Sequence, residues 1–362
     1  MSRPLTRHAG DVELTITTPP AQRQPTATHL DQYLPGPLGG HPMGAYHFTA
    51  HPGPAITSSA IAAWTPHAQA SITPVPGVTL TETTVPDGRR RYTVASDTLE
   101  HRPGAWAAQV SGKAIDLYAA DPHRMPRYLL RLIREVMLRE YENSGGIVFH
   151  AAGAALPGGA VMICGPPGSG KTSTLAAILS QARQRSALLS NDRLIAMGHR
   201  LIAVPLPVPL ARGTLEAVPN LRAACPAPVD DMPLVFGTRD KTALAALGFA
   251  CAFGAGLTPA ATARLLIVPH LVDSNQPPLI ERLSPAQALQ VLDTSCFTPT
   301  DEFWRPWLVP RTRPDEHLAQ AAHTACAHLA HALACHRVTF GIRRPIESLT
   351  SALSDLIGEL LP

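Results

Sequence analysis

Apolar positions follow a helical spacing most clearly in the segment 126–142. The residues on this stripe recur three or four apart, which predicts an amphipathic helix with one buried face; they are Leu129, Ile133, Val136, Met137 and Tyr141. The run Asn143-Ser144-Gly145-Gly146 follows at once, and glycine favours the left-handed conformation that ends a helix. We therefore expect this stripe to be part of a hydrophobic core.

Short apolar runs broken by turn residues follow this helix. They predict a strand over 147–156, a turn at Pro157-Gly158-Gly159 and a second strand over 160–164. A helix is expected over 171–183, with Leu175, Ile178, Leu179 and Ala182 on its apolar face, and then a strand over 187–190 and a hairpin of 193–197 with 201–204. Alternation of strands and helices indicates an α/β domain.

Beyond residue 205 the chain is rich in proline, and the pattern predicts shorter elements. We expect short helices at 241–247 and 259–265, and a strand at 265–268. Ser284-Pro285 is typical of a helix start, since serine caps the first turn and proline suits the first position. A helix over 314–335, a strand over 338–342 and a helix over 345–360 complete the prediction.

The N-terminal third has a different character. Residues 1–45 are rich in Pro, Gly, Thr and His, which predicts an irregular or disordered arm. Residues 46–120 read as a small β-rich domain, with strands at 78–85 and 91–95 flanking Pro86-Asp87-Gly88 and another strand at 114–118. Residues 121–362 would then form the catalytic domain.

Composition narrows the classes of function. The chain has 362 residues, 45% of them hydrophobic, and a formal net charge of +3, which is too small to predict a nucleic-acid-binding face. Residues 1–10 lack a signal-peptide core, and no apolar run reaches the roughly 18 residues of a membrane span. The six cysteines form no C-x-x-C pair, so we expect free thiols and a cytoplasmic protein.

The strongest motif lies between the strand 160–164 and the helix that follows. Gly165-Pro-Pro-Gly168-Ser169-Gly170-Lys171-Thr172 fits G-x-x-x-x-G-K-[ST], the P-loop that holds the phosphates of a nucleotide. Main-chain N–H groups from Gly168 through Ser173 would surround the phosphates, and the helix dipole would add to them. The Lys171 ammonium would lie between the β- and γ-phosphates, and the Thr172 hydroxyl would ligate Mg²⁺.

A P-loop serves many reactions, so a second carboxylate has to distinguish them. ATPases of the AAA+ class need a strand that ends in Asp-Glu, and the sequence has no such segment. Asp192 follows the strand 187–190, one helix and one return strand after the P-loop. We therefore expect Asp192 beside the Mg²⁺ or the attacking hydroxyl.

With His150 ahead of the P-loop and Ser190-Asn191-Asp192 after it, residues 126–205 resemble the catalytic core of HPr kinase/phosphorylase. Among these relatives, the similarity is greatest to the serine kinases that modify peptides in biosynthetic clusters. The resemblance implies a phosphoenolpyruvate-carboxykinase-like P-loop core, ATP and Mg²⁺ as cofactors, and a hydroxyl as phosphate acceptor. The bifunctional relatives are hexamers, which makes a homo-oligomer an expectation.

Matched residues carry the expected roles. His150 corresponds to the family histidine near the γ-phosphate, Lys171 and Thr172 to the nucleotide and metal ligands, and Asp192 to the second of two aspartates that bind Mg²⁺ and act as general base. Asn191 departs from the pattern, since the bacterial HPr enzymes carry the first aspartate there. Because an amide cannot accept a proton, either Asp192 acts alone or the base lies elsewhere.

Three functions stay open from the sequence. The first is an ATP-dependent kinase acting on a serine or other hydroxyl of a peptide or small protein. The second is a kinase for a small metabolite such as an amino acid or alcohol. The third is a nucleotide-binding regulatory module with little turnover, in which Asn191 marks lost catalysis. Neither nucleic acid nor membrane is an expected partner.

Overall fold

The computed structural model of the chain describes residues 3–39, 42–97, 104–181, 186–235, 238, 240–301 and 305–361. These residues form a mixed α/β protein that divides into two compact units. Unit 1 contains residues 1–144 together with 300–313, and unit 2 contains 145–299 together with 314–362. No helix among the described residues combines the length and the apolar character needed to cross a bilayer.

Unit 1 is built on one mixed sheet with helices packed on it. Within its described residues the strand order is β3-β1-β2-β4-β9-β8-β7-β6-β5. The strands are β1 (Leu5–Gly10), β2 (Val12–Thr17), β3 (Gly36–Pro37), β4 (Gly44–Pro52), β5 (Ala70–Val75), β6 (Val78–Thr84), β7 (Arg90–Asp97), β8 (Trp106–Ser111) and β9 (Ala114–Ala119). The helices are α1 (Pro20–Asp31), α2 (Pro54–Trp64) and α3 (Met125–Asn143).

The prediction of an irregular arm over 1–45 is wrong. Val12, Leu14 and Ile16 alternate with polar residues and are fully buried, so β2 has one face in the core. Strand β2 pairs with β1 on one side and β4 on the other, and Leu30 of α1 is also buried. Proline and glycine at the turns give this segment the composition of a disordered chain, although the period-2 pattern between them is that of a strand.

The helix predicted over 126–142 is found as α3, and all five residues of its stripe are buried. It belongs to unit 1 rather than to a catalytic domain that begins at residue 121. Residues 300–313 also pack into unit 1, where the Trp307 main-chain N–H donates to Glu135 of α3 at 2.9 Å. The domain boundaries at 45 and 120 expected from the sequence therefore differ from the boundary found, which follows residue 144.

Unit 2 is built on a second sheet. Among its described residues the strand order is β10-β14-β15-β19-β12-β11-β13-β18, and β21 pairs with β19 and β20. Its main-sheet strands are β10 (Ile147–Phe149), β11 (Ala151–Leu156), β12 (Gly159–Cys164), β13 (Ala187–Ser190), β14 (Leu194–Met197), β15 (Arg200–Ala203), β18 (Gly256–Leu257), β19 (Ala260–Val272), β20 (Leu279–Arg282) and β21 (Ala334–Gly341). A separate pair consists of β16 (Val208–Leu210) and β17 (Thr242–Leu244).

The helices of unit 2 flank its main sheet. They are α4 (Lys171–Gln181), α5 (Arg212–Ala217), α6 (Pro219–Ala224), α7 (Ala246–Cys251), α8 (Pro285–Ser295), α9 (Asp315–Ala332) and α10 (Ile346–Leu360). Residues 182 and 183 of the predicted P-loop helix lie outside the described residues. Ser284 caps α8 as expected, because its hydroxyl accepts from the Gln287 N–H and the Gln287 side chain accepts from the Ser284 N–H.

Two sequence predictions in unit 2 are wrong. The segment 259–265 is not a helix but the start of β19, which pairs in parallel with β12 and β21. The helix predicted at 241–247 is replaced by strand β17, and helix α7 begins later, at Ala246. In both segments alanine and leucine favour a helix weakly, and pairing with neighbouring strands overrides that preference.

Candidate functional site

Three strand ends bring the predicted site residues to one edge of the unit 2 sheet. Strands β12 and β13 both pair antiparallel with β11, so they run in the same direction and end at the same edge. The P-loop follows β12, and Asn191 and Asp192 follow β13. His150 stands just before β11, at a break between β10 and β11 where its main-chain N–H donates to the Ser295 carbonyl at 2.7 Å.

The loop 165–170 requires glycine at two of its positions. Gly168 and Gly170 have φ values of 82° and 102°, which side-chain-bearing residues rarely adopt. A Cβ on Gly170 would lie 2.9 Å from the Phe340 ring, so this close approach also requires glycine. The Ser169 hydroxyl is buried and has no hydrogen-bond partner among the described residues, as expected of a donor that awaits a ligand.

Lys171 begins α4 and points back over the loop. Its ammonium donates to the Gly165 carbonyl at 2.7 Å and to the Pro166 carbonyl at 3.2 Å, and the residue is only 8% exposed. Burial lowers the pKa of Lys171, although attraction to Asp192 opposes that change. The buried ammonium is held mainly by neutral carbonyls and is close to only one carboxylate, so it can attract a further anion.

Thr172 and Asn191 join the P-loop helix to the end of β13. The Thr172 hydroxyl donates to the Asn191 side-chain oxygen at 3.1 Å, and Asn191 is buried. Thus Asn191, which departs from the family pattern, holds the hydroxyl that is expected to ligate Mg²⁺.

A histidine and an arginine side chain hold the Asp192 carboxylate. His150 Nε2–H donates to Asp192 Oδ1 at 3.1 Å, and the Arg193 guanidinium donates to Oδ2 at 2.8 Å. Phe297 supports both donors, because its ring stacks on His150 at a centroid distance of 5.3 Å and lies 5.1 Å from the Arg193 guanidinium carbon. Each Asp192 oxygen therefore has its own donor.

These contacts determine the charge of Asp192. Burial alone would raise its pKa, but the hydrogen bond from His150 and the charges of Arg193, His150 and Lys171 lower the pKa to about 2. Since an ionised carboxylate accepts hydrogen bonds without donating, the bonded His150 nitrogen carries a proton. Asp192 is thus an anion at neutral pH, with its side chain 35% exposed to the solvent.

The P-loop and Asp192 line a single cavity of about 1190 Å³ within unit 2. On one side lie Leu271, Phe340 and the segment 341–349, which joins β21 to α10. On another side lie residues of α5, together with Leu234, Val235 and Lys241. The cavity exceeds the usual size for one small ligand, about 300–1,000 Å³, and has room for two reactants.

Most of the predicted site residues line the cavity, and the others do not. Those that line it are His150, Gly168, Gly170, Lys171, Thr172, Ser173 and Asp192. Of the described residues, Gly165 and Ser169 belong to the loop without lining the cavity: the Gly165 carbonyl accepts from Lys171, and the Ser169 carbonyl accepts from the Leu271 N–H at 2.9 Å.

Several residues at the site carry no local sequence signal. Phe340 and Lys241 are distant from the P-loop in sequence and line the same cavity, and Phe297 packs against His150 and Arg193. The Arg193 guanidinium forms an ion pair with the Asp192 carboxylate. These residues could have been placed together only with knowledge of which strands end at the same edge of the sheet.

The donor set suits a hard cation. Within the described ranges, no cluster of three or more His, Cys, Asp or Glu side chains could hold a metal ion. Thr172, Asn191 and Asp192 instead present oxygen atoms to the cavity, and Mg²⁺ prefers oxygen ligands while keeping several of its waters. The residues therefore fit Mg²⁺ that is bound together with a phosphate chain.

No family model matches the chain, and no curated protein matches it at a significant level.

Proposed function

We propose that the protein is an ATP-dependent kinase that transfers the γ-phosphate to a hydroxyl, most specifically a serine hydroxyl of a peptide or small protein. One observation carries this proposal: a P-loop with a buried lysine and an ionised aspartate from the neighbouring strand end line the same cavity. Phosphoryl transfer needs mainly positioning and charge neutralisation, and this arrangement supplies both.

The P-loop would hold the nucleotide. Main-chain N–H groups of Gly168, Gly170, Lys171, Thr172 and Ser173 and the Lys171 ammonium would donate to its phosphates, whereas the Ser169 N–H donates to the Pro166 carbonyl at 3.2 Å. Thr172, Asn191 and Asp192 would hold Mg²⁺, which neutralises charge on the phosphates when it is bound. Lys171 would exchange its contacts to loop carbonyls for stronger charge-assisted contacts to phosphate oxygens.

Asp192 would orient the acceptor hydroxyl by accepting its hydrogen bond. With a pKa of about 2, its carboxylate is a weak base before transfer begins. The proton of the hydroxyl becomes acidic only as its oxygen bonds to phosphorus, so Asp192 would take the proton late in the step. His150, Arg193 and Phe297 keep the carboxylate ionised and fix its orientation.

We assign the nucleotide and the phosphate acceptor to different sides of the cavity. Strands β19 and β21 run parallel to β12, so they end at the same edge, on the side of the P-loop away from β13 and Asp192. The nucleoside would lie on that side, near Phe340 and Ile342. The acceptor would then approach Asp192 from the side of α5, Leu234 and Val235, whose exposed apolar side chains suit a peptide.

The wider features expected from the resemblance belong to the same proposal. A phosphoenolpyruvate-carboxykinase-like core, homo-oligomers and a cytoplasmic location would accompany kinase activity of the HPr-kinase type. The mixed sheet with its P-loop between β12 and α4 supports such a core without distinguishing it from other P-loop folds.

Phosphorus NMR with ATP and Mg²⁺ tests the proposal directly. A phosphopeptide signal that grows with a serine peptide present, and not with the Lys171→Met variant, would support the peptide kinase. ATP consumption that requires an amino acid or alcohol instead would favour the metabolite kinase. Tight nucleotide binding with no turnover would favour the regulatory module, and no nucleotide binding at all would refute all three functions.

A further inference from the structure

Lys241 is a cation of the cavity that the proposed function does not use; Lys171, Arg343 and Arg344 also line the cavity. Lys241 immediately precedes β17, which pairs with β16 so that Thr242 lies opposite Leu210. Pro209 of β16 lines the cavity as well. Lys241 is one of three lysines in the chain, with Lys113 and Lys171.

The chain reaches Lys241 through elements that begin near Asp192. The Val204 carbonyl, just after β15, accepts from the Ser190 hydroxyl at 3.1 Å, and Asp192 comes two residues after Ser190. Strand β16 follows, and Ala211 just after it lines the cavity. Lys241 and Asp192 therefore line the same cavity.

Arg212 and Arg343 are engaged in hydrogen bonds, whereas the Lys241 side chain makes no ion pair or hydrogen bond with any described residue. Arg212 donates to Glu216 at 2.7 Å and to the Asp230 and Met232 carbonyls. Arg343, on the other side of the cavity, donates to Asp273 at 2.8 Å. Lys241 is exposed to the cavity, so its ammonium is free to bind a ligand.

Lys171 and Lys241 line the same cavity. Burial is the main cause that lowers the pKa of Lys171, the charge of Asp192 opposes it, and the positive charge of Lys241 adds a smaller lowering. An anion bound between two ammonium groups is attracted to both of them. A phosphate group in this cavity could therefore contact both lysines.

We propose that Lys241 is a further catalytic residue that binds the transferring phosphoryl group, opposite the P-loop lysine. This proposal rests on the proposed function. Negative charge spreads over the equatorial oxygens of the phosphoryl group during transfer, and a cation on the acceptor side stabilises that charge. Lys171 acts from the P-loop side and Lys241 from the acceptor side.

Full-length protein with fluorescent ADP, Mg²⁺ and aluminium fluoride tests the role, because aluminium fluoride mimics the transferring phosphoryl group. Lys241→Gln should bind ADP within about threefold of wild type, yet bind the ADP–aluminium fluoride complex about 10²-fold to 10³-fold more weakly. Lys241→Arg keeps the charge and should recover most of that affinity. Lys113→Gln, which removes a lysine outside the cavity, should match wild type.

Three results would overturn the inference. Tight binding of the mimic by Lys241→Gln would show that the lysine does not contact the phosphoryl group. An equal loss of affinity for ADP alone would make it a ground-state nucleotide ligand. An unchanged affinity for the mimic with a raised KM for the acceptor would assign it to acceptor binding. If wild type itself binds no ADP, the proposed function fails first.

Discussion

Asp192 illustrates how a single side chain at this site depends on its neighbours. Its oxygens are bonded separately by His150 and Arg193, and Phe297 packs against both donors. The donors lower its pKa to about 2 despite burial, so the carboxylate is charged at any physiological pH. Its charge and its direction are therefore set by the protein itself, and under the proposed function this preorganisation would favour phosphoryl transfer.

Replacement of Asp192 by asparagine should separate turnover from binding. The amide keeps the size of the side chain but cannot accept the hydroxyl proton, so we expect kcat to fall about 10²-fold to 10⁴-fold. The nucleotide dissociation constant should change by no more than about threefold, because the P-loop donors are untouched. Steady-state kinetics and titration with a fluorescent nucleotide measure the two quantities.

Asp230→Asn is a matched control, since Asp230 is an exposed acid that does not line the cavity. It should leave both quantities unchanged. Equal losses of turnover and affinity in Asp192→Asn would contradict the role assigned to the carboxylate.

The low pKa of Asp192 also predicts a pH dependence of stability. The unfolded chain binds a proton at this residue below about pH 4, whereas the folded protein does so only near pH 2. The stability that Asp192 contributes is therefore complete above about pH 4 and is lost as the pH falls towards 2. Urea unfolding of wild type and Asp192→Asn should show a difference in unfolding free energy that shrinks between about pH 4 and about pH 2. A difference that stays constant or grows would contradict the ionised state.

Site residues that belong to a local motif or follow a strand could be predicted from the sequence. Site residues that only the tertiary fold brings together could not. The P-loop glycines and Lys171 are recognisable because a phosphate cradle needs consecutive amides and a lysine within one turn. Asp192 was found because it ends a strand. Phe297 contacts His150 and Arg193 only after the chain has folded, and no spacing rule connects it to them.

At the scale of elements, the order β12–P-loop–α4–β13 was predictable because each boundary carries a turn or motif. The strand expected over 147–156 is divided at His150, since the main-chain N–H of that residue bonds to the Ser295 carbonyl instead of a sheet neighbour. Ser295 is the last residue of α8 and lies far from His150 in sequence, so the local pattern does not predict this break. The strand 260–272 was mistaken in part for a helix for a similar reason: its partners β12 and β21 lie far away in sequence.

Gly168 and Gly170 should respond differently to alanine. Both have positive φ, so each substitution strains the backbone by about 1–3 kcal/mol. A Cβ at Gly168 meets nothing within 4 Å, whereas at Gly170 it would lie 2.9 Å from the Phe340 ring and 3.2 Å from Leu271. We therefore expect Gly170→Ala to lower both unfolding free energy and nucleotide affinity more than Gly168→Ala does.

A second substitution separates the two causes. Phe340→Leu shortens the side chain that the new Cβ would meet, so Gly170→Ala should cost less stability in that background than in wild type. Additive effects of the two substitutions, measured by urea unfolding, would mean that Phe340 does not oppose a side chain at position 170.

For the whole molecule, the division of the chain was the least predictable feature. Unit 1 includes residues 300–313, which lie between two parts of unit 2 in sequence. Within unit 1, Trp307 packs edge-on against Tyr92 at 4.9 Å, and Arg311 donates to the buried Glu142 carboxylate at 2.8 Å. A division of the sequence into consecutive domains cannot assign such a segment, because the segment lies far in sequence from the rest of unit 1.

The segment should be necessary for unit 1 to fold by itself. A fragment of residues 1–144 leaves Glu135 and Glu142 without Trp307 and Arg311, and exposes the aromatic surface of Tyr92 and Trp106. Glu142 keeps its ion pair with Arg139, but loss of a buried tryptophan alone costs about 3–5 kcal/mol, which is a large part of the stability of a small domain. We therefore expect this fragment to bind a hydrophobic dye and to unfold without a cooperative transition.

Joining residues 300–313 to the same fragment through a flexible linker should restore cooperative urea unfolding. In that fusion Trp307→Ala should lower the unfolding free energy by about 3–5 kcal/mol, because the side chain is buried against two aromatic rings. Arg313→Ala changes an exposed residue of the same segment and should have little effect. If the fragment 1–144 unfolds cooperatively at the same urea midpoint as the fusion, residues 300–313 contribute nothing to unit 1, and the division of the chain after residue 144 would be sufficient to define it.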